Sequence, residues 1–237
     1  MTAGDVAGFD ADLTRSRRLM EGIRTPLLGA QVAYARAGRT MLDGRWDEAE
    51  RLVEEAFALQ EHTSLWGAGW IRLVLLYTSR RFQGRHADLR DELVRSADEP
   101  QLELLRPTAV LAACESGDEP LARELLGRWG SAHEMLWSWN FVAFQWGLVA
   151  ARLGTPDPRE LYGEILPFAD QWSTLGSSCA TWGSMHFVLA ELAARIGDTA
   201  AATVHAETAL ALHRGIGAVH LVAASAAQVD VQADLKS

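Results

Sequence analysis

The chain has 237 residues, a net charge of −9 and apolar side chains at nearly half of its positions. That is enough to build one large domain or an array of small units with a sizeable core. The acidic balance argues against a chain that grips a phosphate backbone by itself, because no Lys/Arg-rich block offsets it and the only lysine is Lys236. Two cysteines, Cys114 and Cys179, form neither a disulfide framework nor a metal motif. As reduced thiols they fit a cytoplasmic protein. The N-terminal stretch MTAGDVAGFDADLTRSRR has no apolar run of the signal-peptide kind. No apolar stretch reaches the length of about 18 residues that a spanning helix needs, so no membrane span is expected.

Taken in chain order, the pattern is helical almost throughout. Residues 10–24, DADLTRSRRLMEGIR, read as the second helix of a unit whose first helix is absent. Leu13, Leu19 and Ile23 would then leave an apolar end face uncovered, and a homodimer pairing through a terminal face is the expectation. From there, breaks at Gly44, Gly84, Gly117, Gly154 and Gly197 recur every 33–43 residues. Each glycine follows one helical stretch, supplies the left-handed residue that ends it, and precedes another. Asp47, Asp118, Asp157 and Asp198 follow four of these glycines and are placed to cap or to favour the next helix start.

The unit is therefore a helix-turn-helix. The predicted fold is all-α: a tetratricopeptide-like helical-repeat solenoid of about five to six such units. It forms a single domain, with residues 1–25 a partial N-terminal unit, 26–218 the repeats, and 219–237 a capping helix and tail. A strand content above about one fifth, near the globular base rate, would contradict it.

The second helices are amphipathic. In 46–59, Ala49, Leu52, Val53, Ala56 and Leu59 follow helical spacing with Glu48, Glu50, Arg51, Glu54 and Glu55 between them. The first helices are apolar nearly all round. In MLWSWNFVAFQWG (135–147), Trp137, Phe141, Phe144 and Leu148 form one stripe, while Trp139, Trp146 and Ala150 lie opposite. Two further stripes join Trp66, Trp70, Leu73 and Tyr77, and Trp182, His186, Leu189 and Ala193. Such helices are buried on several sides, and they also line the concave face of a solenoid. The small residues Ala143 and Ala150 leave space beside two indoles. On that ground Trp139 and Trp146 are expected to face a groove with Trp70 and Trp182, and Trp137, Phe141 and Phe144 to pack in the core. Trp146→Ala should then leave folding nearly intact, and Phe144→Ala should not.

The stretch LYGEILPFADQWSTLGSSCATWGSMHFVLAELAARIGDTAAATVHAETALALHRGIGA (161–218) resembles the C-terminal helical-repeat region of large bacterial multidomain regulators. These are ATP-dependent LuxR-type activators, regulators with a bacterial transcriptional activator domain, and class III cyclases fused to an ATPase. Leu161, Tyr162, Leu166, Pro167, Ala169 and Asp170 match its opening, and Trp182 and Gly183 its Trp-Gly element. Ala209, Leu210, Leu212, His213, Gly217 and Ala218 match its end. Counting the match of 42–52, the resemblance runs over residues 26–225. It implies the repeat fold and an effector-sensing role, and it specifies no ligand. The chain departs from that pattern at Leu148, where a Glu is usual, and in the aromatic content of Trp137, Phe144 and Trp146. It carries no Walker A motif and no DNA-binding helix-turn-helix with a basic face.

No metal is expected, because none of the seven histidines makes a ligand spacing with a neighbour. No cofactor motif or G-x-S-x-G element occurs either. The expected ligand-contacting set is Trp66, Trp70, Tyr77, Trp139, Trp146, Trp182 and His186. His186 is the first candidate for an acid–base group should the chain be an enzyme. The leading reading is a non-catalytic binding module that takes a partner protein or an apolar small molecule in an aromatic concave groove. The alternative is a cofactor-independent cyclase or isomerase that uses the same groove as its active site.

Overall fold

The computed structural model describes the chain except residues 1–3, 21, 23–24, 62, 64–67, 132–137, 177–178 and 235–237. It is 79% helical. Helix α1 (Val6–Met20) precedes five consecutive helical hairpins and a last helix. The hairpins pair α2 (Pro26–Leu42) with α3 (Trp46–Gln60), and α4 (Ala68–Phe82) with a 3-10 turn (His86–Leu89) that runs on into α5 (Arg90–Ala97). They continue with α6 (Arg106–Glu115) and α7 (Glu119–Trp129), α8 (Trp139–Leu153) and α9 (Pro158–Ile165), and α10 (Met185–Arg195) and α11 (Thr199–Gly215). Helix α12 (Val219–Asp234) ends the array.

The five break glycines fall at the hairpin turns, all with φ between +71° and +83°. A side chain there would be strained, which is why glycine marks the turns. Three of the four expected aspartates cap as their position implies. Asp118 accepts from Leu121 N–H at 3.1 Å, Asp157 from Arg159 N–H at 2.7 Å, and Asp198 from Ala201 N–H at 2.9 Å. Asp47 instead lies inside the first turn of α3, where its charge meets the positive end of the helix.

The core follows the apolar first helices. In α8 every residue from Phe141 to Ala150 is buried. In the second helices only one face is buried, for example Ala49, Leu52, Val53 and Ala56 of α3. The array also folds back on itself. His220 of α12 packs edge-on against Phe82 of α4, with ring centroids 4.4 Å apart, and against Trp46 of α3 at 5.0 Å. Leu42, at the end of α2, shares a small core with Trp172, Ala218 and Leu221.

One element departs from the helical expectation. Residues 172–184 form an antiparallel hairpin of β1 (Trp172–Leu175) and β2 (Ala180–Ser184). Trp182 is therefore on a strand and shares no helical stripe with His186, since α10 begins only at Met185. Both strands are buried on both faces, so they show no alternation that would betray them. The local chemistry is nevertheless strand-like, with the aromatic and β-branched residues Trp172, Thr174, Thr181 and Trp182 on either side of Gly176. Ser184 then starts α10, its Oγ accepting from His186 N–H at 3.2 Å. The hairpin fits tightly into the array. A Cβ on Gly38 of α2 would overlap the carbonyl oxygen of Cys179, so only glycine lets the hairpin's tip dock on α2.

Candidate functional site

A concave pocket of about 560 Å3 opens where the first helices and α12 converge. That volume suits a small molecule. Its apolar wall is Phe82, Trp182, Phe187 and Leu221, and its polar wall holds Arg81, Glu115, Arg152 and His86. Trp182 reaches it through a local irregularity of the hairpin. Ser173 pairs with Gly183 and Thr174 with Thr181, so Trp182 is the extra, unpaired residue of a β-bulge. A bulge re-aims one side chain out of the strand's alternation. The indole is then fixed by its N–H, which donates to Thr78 Oγ at 2.8 Å, and by edge contacts to Phe141 and Phe144.

The polar wall is an ion cluster at the C-terminal ends of α4, α6 and α8. Arg81 donates to Glu115 through Nε, 3.0 Å from both carboxylate oxygens, and through Nη2 at 2.8 Å. Tyr77 O–H donates to Oε2 at 2.7 Å, and Arg152 Nη2 donates to Oε1 at 3.2 Å. The Arg81 guanidinium lies over the Trp182 ring at 4.7 Å and over Phe82 at 5.3 Å. Burial alone would raise the Glu115 carboxyl. The Arg81 charge and hydrogen bonds, with help from Arg152 and Tyr77, outweigh it and hold Glu115 below the usual carboxylate range. Burial and the Glu115 charge push the Tyr77 hydroxyl well above its ordinary value.

The histidine tautomers around the pocket follow from their partners. His86 Nε2 sits 2.7 Å from the Glu115 carbonyl oxygen, which can only accept, so Nε2 carries the proton. His213 Nε2 accepts from Ser184 N–H at 2.9 Å, so Nδ1 carries its proton and donates to Ser225 Oγ at 2.8 Å. Burial holds His213 down to about 4. Burial, His213 and the Arg81 charge hold His220 down to about 4. His220 Nδ1 is buried without a partner. Burial pushes the Cys114 thiol up to about 11. Each of these five groups (Glu115, Cys114, His213, His220 and Tyr77 beneath the wall) is thus moved away from neutrality. Acid–base work calls for the opposite displacement.

The structure gathers the expected site residues only in part. Trp182 lines the pocket. Tyr77 is buried beneath it and touches it through Glu115. Trp70, Trp139 and Trp146 are buried in the core and are not part of the pocket wall, so the expected groove-facing pair in α8 does not face this pocket. Trp139 instead packs on Phe168, with centroids 4.6 Å apart. Trp66 lies outside the described residues, as does Trp137.

His186 points away from the pocket that its neighbour Phe187 lines. Its Nδ1 meets His205 Nδ1 at 2.8 Å, and His205 Nε2 meets Tyr162 O–H at 3.1 Å. The ring centroids are 5.0 Å apart, about what a head-on contact between the two nitrogens requires. The two nitrogens share a proton and do not converge on a metal. Among the described residues no three His, Cys, Asp or Glu side chains gather as metal ligands.

The sequence reading missed Arg81, Glu115 and Arg152. Their signal was present: each is a charged residue two or three positions before a break glycine, at the end of an otherwise apolar first helix. No family model matches the chain, and no curated protein or solved structure matches it either.

Proposed function

We propose that the chain is a non-catalytic, tetratricopeptide-like binding module whose concave pocket takes up a small molecule. The observation that supports this most is the bulge. It turns Trp182 out of strand register and against a fixed guanidinium, forming one aromatic and one polar wall around an open volume. The displacement of the neighbouring titratable groups from neutrality favours binding over proton transfer. In keeping with the resemblance at 161–218, the module acts as the effector-sensing part of a transcriptional regulator.

Filling the pocket tests the reading. Ala224 lines it from α12, and Ala224→Trp places an indole in its volume. Protein purified from its native host and unfolded for mass spectrometry should release a small molecule. The Ala224→Trp chain, equally folded by circular dichroism, should release none. The same molecule recovered from both would overturn the proposal.

Self-association through the N-terminal end belongs to the same reading. Helix α1 has no buried residue, and Leu19 is 60% exposed, with Leu28 and Leu59 also exposed. Light scattering should show a dimer that Leu19→Glu weakens. A strict monomer at high concentration would overturn it.

A further inference from the structure

We infer that the ligand of this pocket carries an anionic group, a carboxylate or its equivalent, docked between the guanidinium groups of Arg81 and Arg152, with an apolar body lying on Trp182, Phe187 and Leu221. The inference rests on the pocket being a ligand site and adds the ligand's chemical class.

The first ground is the balance of donors and acceptors in the ion cluster. Both oxygens of Glu115 are occupied: Oε1 receives Arg81 and Arg152, and Oε2 receives Tyr77 and Arg81. The donors are not used up. Arg81 Nη1 and Arg152 Nε have no hydrogen-bond partner among the described residues; Arg81 Nη1 is not sealed from solvent, and the Arg152 side chain is 39% exposed. The cluster can accept nothing more at Glu115, yet it still offers N–H groups toward the open volume. A planar anion is the partner that two guanidinium groups recognise.

The second ground is charge. The chain as a whole is at −9, yet the pocket wall holds two guanidinium groups against one carboxylate, with His213 and His220 neutral at pH 7. A further carboxylate, Glu191 on α10, bears on Arg81 from outside the wall, where it accepts from Gln228 Nε2 at 2.8 Å. The two guanidinium groups are favoured there by the negative ends of three helices, and beside apolar walls they form the cationic part of the wall that an anion would meet.

The third ground is preorganisation. Glu115 holds Arg81 by two nitrogens while Trp182 and Phe82 hold its faces, so the guanidinium plane is set before any ligand arrives. Arg152 meets the same Oε1 as Arg81, so one incoming carboxylate can span both side chains. Arg152 is also the more exposed of the two, with 39% of its side-chain surface open against 14% for Arg81. Its Nη1 donates to the Leu148 carbonyl oxygen at 3.1 Å and its Nη2 to Glu115, so Nε is the donor it keeps for the anion.

The test uses 2-naphthoate and 2-naphthamide, which share a body and differ in charge, titrated calorimetrically into the full chain at pH 7.5. Naphthoate should bind one site at least about tenfold more tightly than the amide, the factor worth about 1.4 kcal/mol. Added salt should weaken it. Arg152→Met should weaken naphthoate to the level of the amide and leave the amide unchanged. Arg152→Lys should restore part of the difference, because charge returns without the planar fork. Melting curves of both variants establish that they fold. Equal affinities for the two probes, or an equal loss of both in Arg152→Met, would overturn the anionic class while leaving the pocket in place. Naphthoate binding that Ala224→Trp leaves untouched would overturn the pocket itself. Absence of naphthoate binding at millimolar concentration would overturn the inference.

Discussion

Trp146→Ala and Phe144→Ala are expected to destabilise the chain by similar, large amounts, each by about 3–5 kcal/mol. Trp146 is 2% exposed and Phe144 is fully buried, on a helix whose burial is continuous from Phe141 to Ala150. Phe144 stacks on Phe187 at 6.2 Å and meets Trp182 edge-on at 6.3 Å. Next to Trp146, a Cβ on Gly147 would come within 2.5 Å of Val188, so α8 and α10 are in close contact there and cannot easily collapse into a void. The loss is a large part of the 5–15 kcal/mol that holds a domain of this kind together. Denaturant melts of the two variants beside the parent chain measure it. A Trp146→Ala chain as stable as the parent would mean that the indole contributes no packing, and would restore the sequence-based expectation that it faces a groove.

That contrast shows what the sequence carried and what it withheld. Hairpin turns are set by backbone conformation, which leaves glycine at regular intervals, so Gly44, Gly84, Gly117, Gly154 and Gly197 could be read directly. The capping aspartates could be read because a cap acts within four residues of the chain. Which side of an all-apolar helix meets solvent depends on neighbours far along the chain. Ala143 and Ala150 left space beside Trp146 in the sequence, yet all three are buried, and Val188 of α10 closes on the adjacent Gly147. The hairpin at 172–184 was hidden because its strands are short and buried on both faces. The ion cluster was hidden because it joins Arg81, Glu115 and Arg152 from three separate hairpins, each unremarkable alone. Trp182 was singled out as part of a helical stripe with His186; it lines the pocket, but from strand β2.

Acidification from pH 7 to 4.5 should unfold much of the chain, and two buried histidines set the window. His213 and His220 are held down to about 4 in the fold, and an unfolded histidine titrates near 6.5. Between those values the unfolded chain binds protons that the folded chain refuses. Stability is therefore full above about pH 6.5 and falls as the pH drops toward 4. Each group contributes on the order of 3 kcal/mol across that window. Protonating His213 at Nε2 would break the bond it accepts from Ser184 N–H. Protonating His220 would place a charge between the Trp46 and Phe82 rings, facing the Arg81 charge from α4 and His213 from α11. Glu115 acts in the same direction lower down, because its depressed carboxyl yields its contribution only as the pH falls below the usual carboxylate range. His220→Phe separates the two histidines. The new ring fills the same aromatic niche and removes the unpartnered Nδ1, so stability at pH 7 should be kept, while the loss between pH 7 and 4.5 should shrink by about half. Imidazole titration by NMR gives the check on the parent chain. A His220 midpoint at pH 6 or above would show that the ring is solvated, and that the acid lability arises elsewhere.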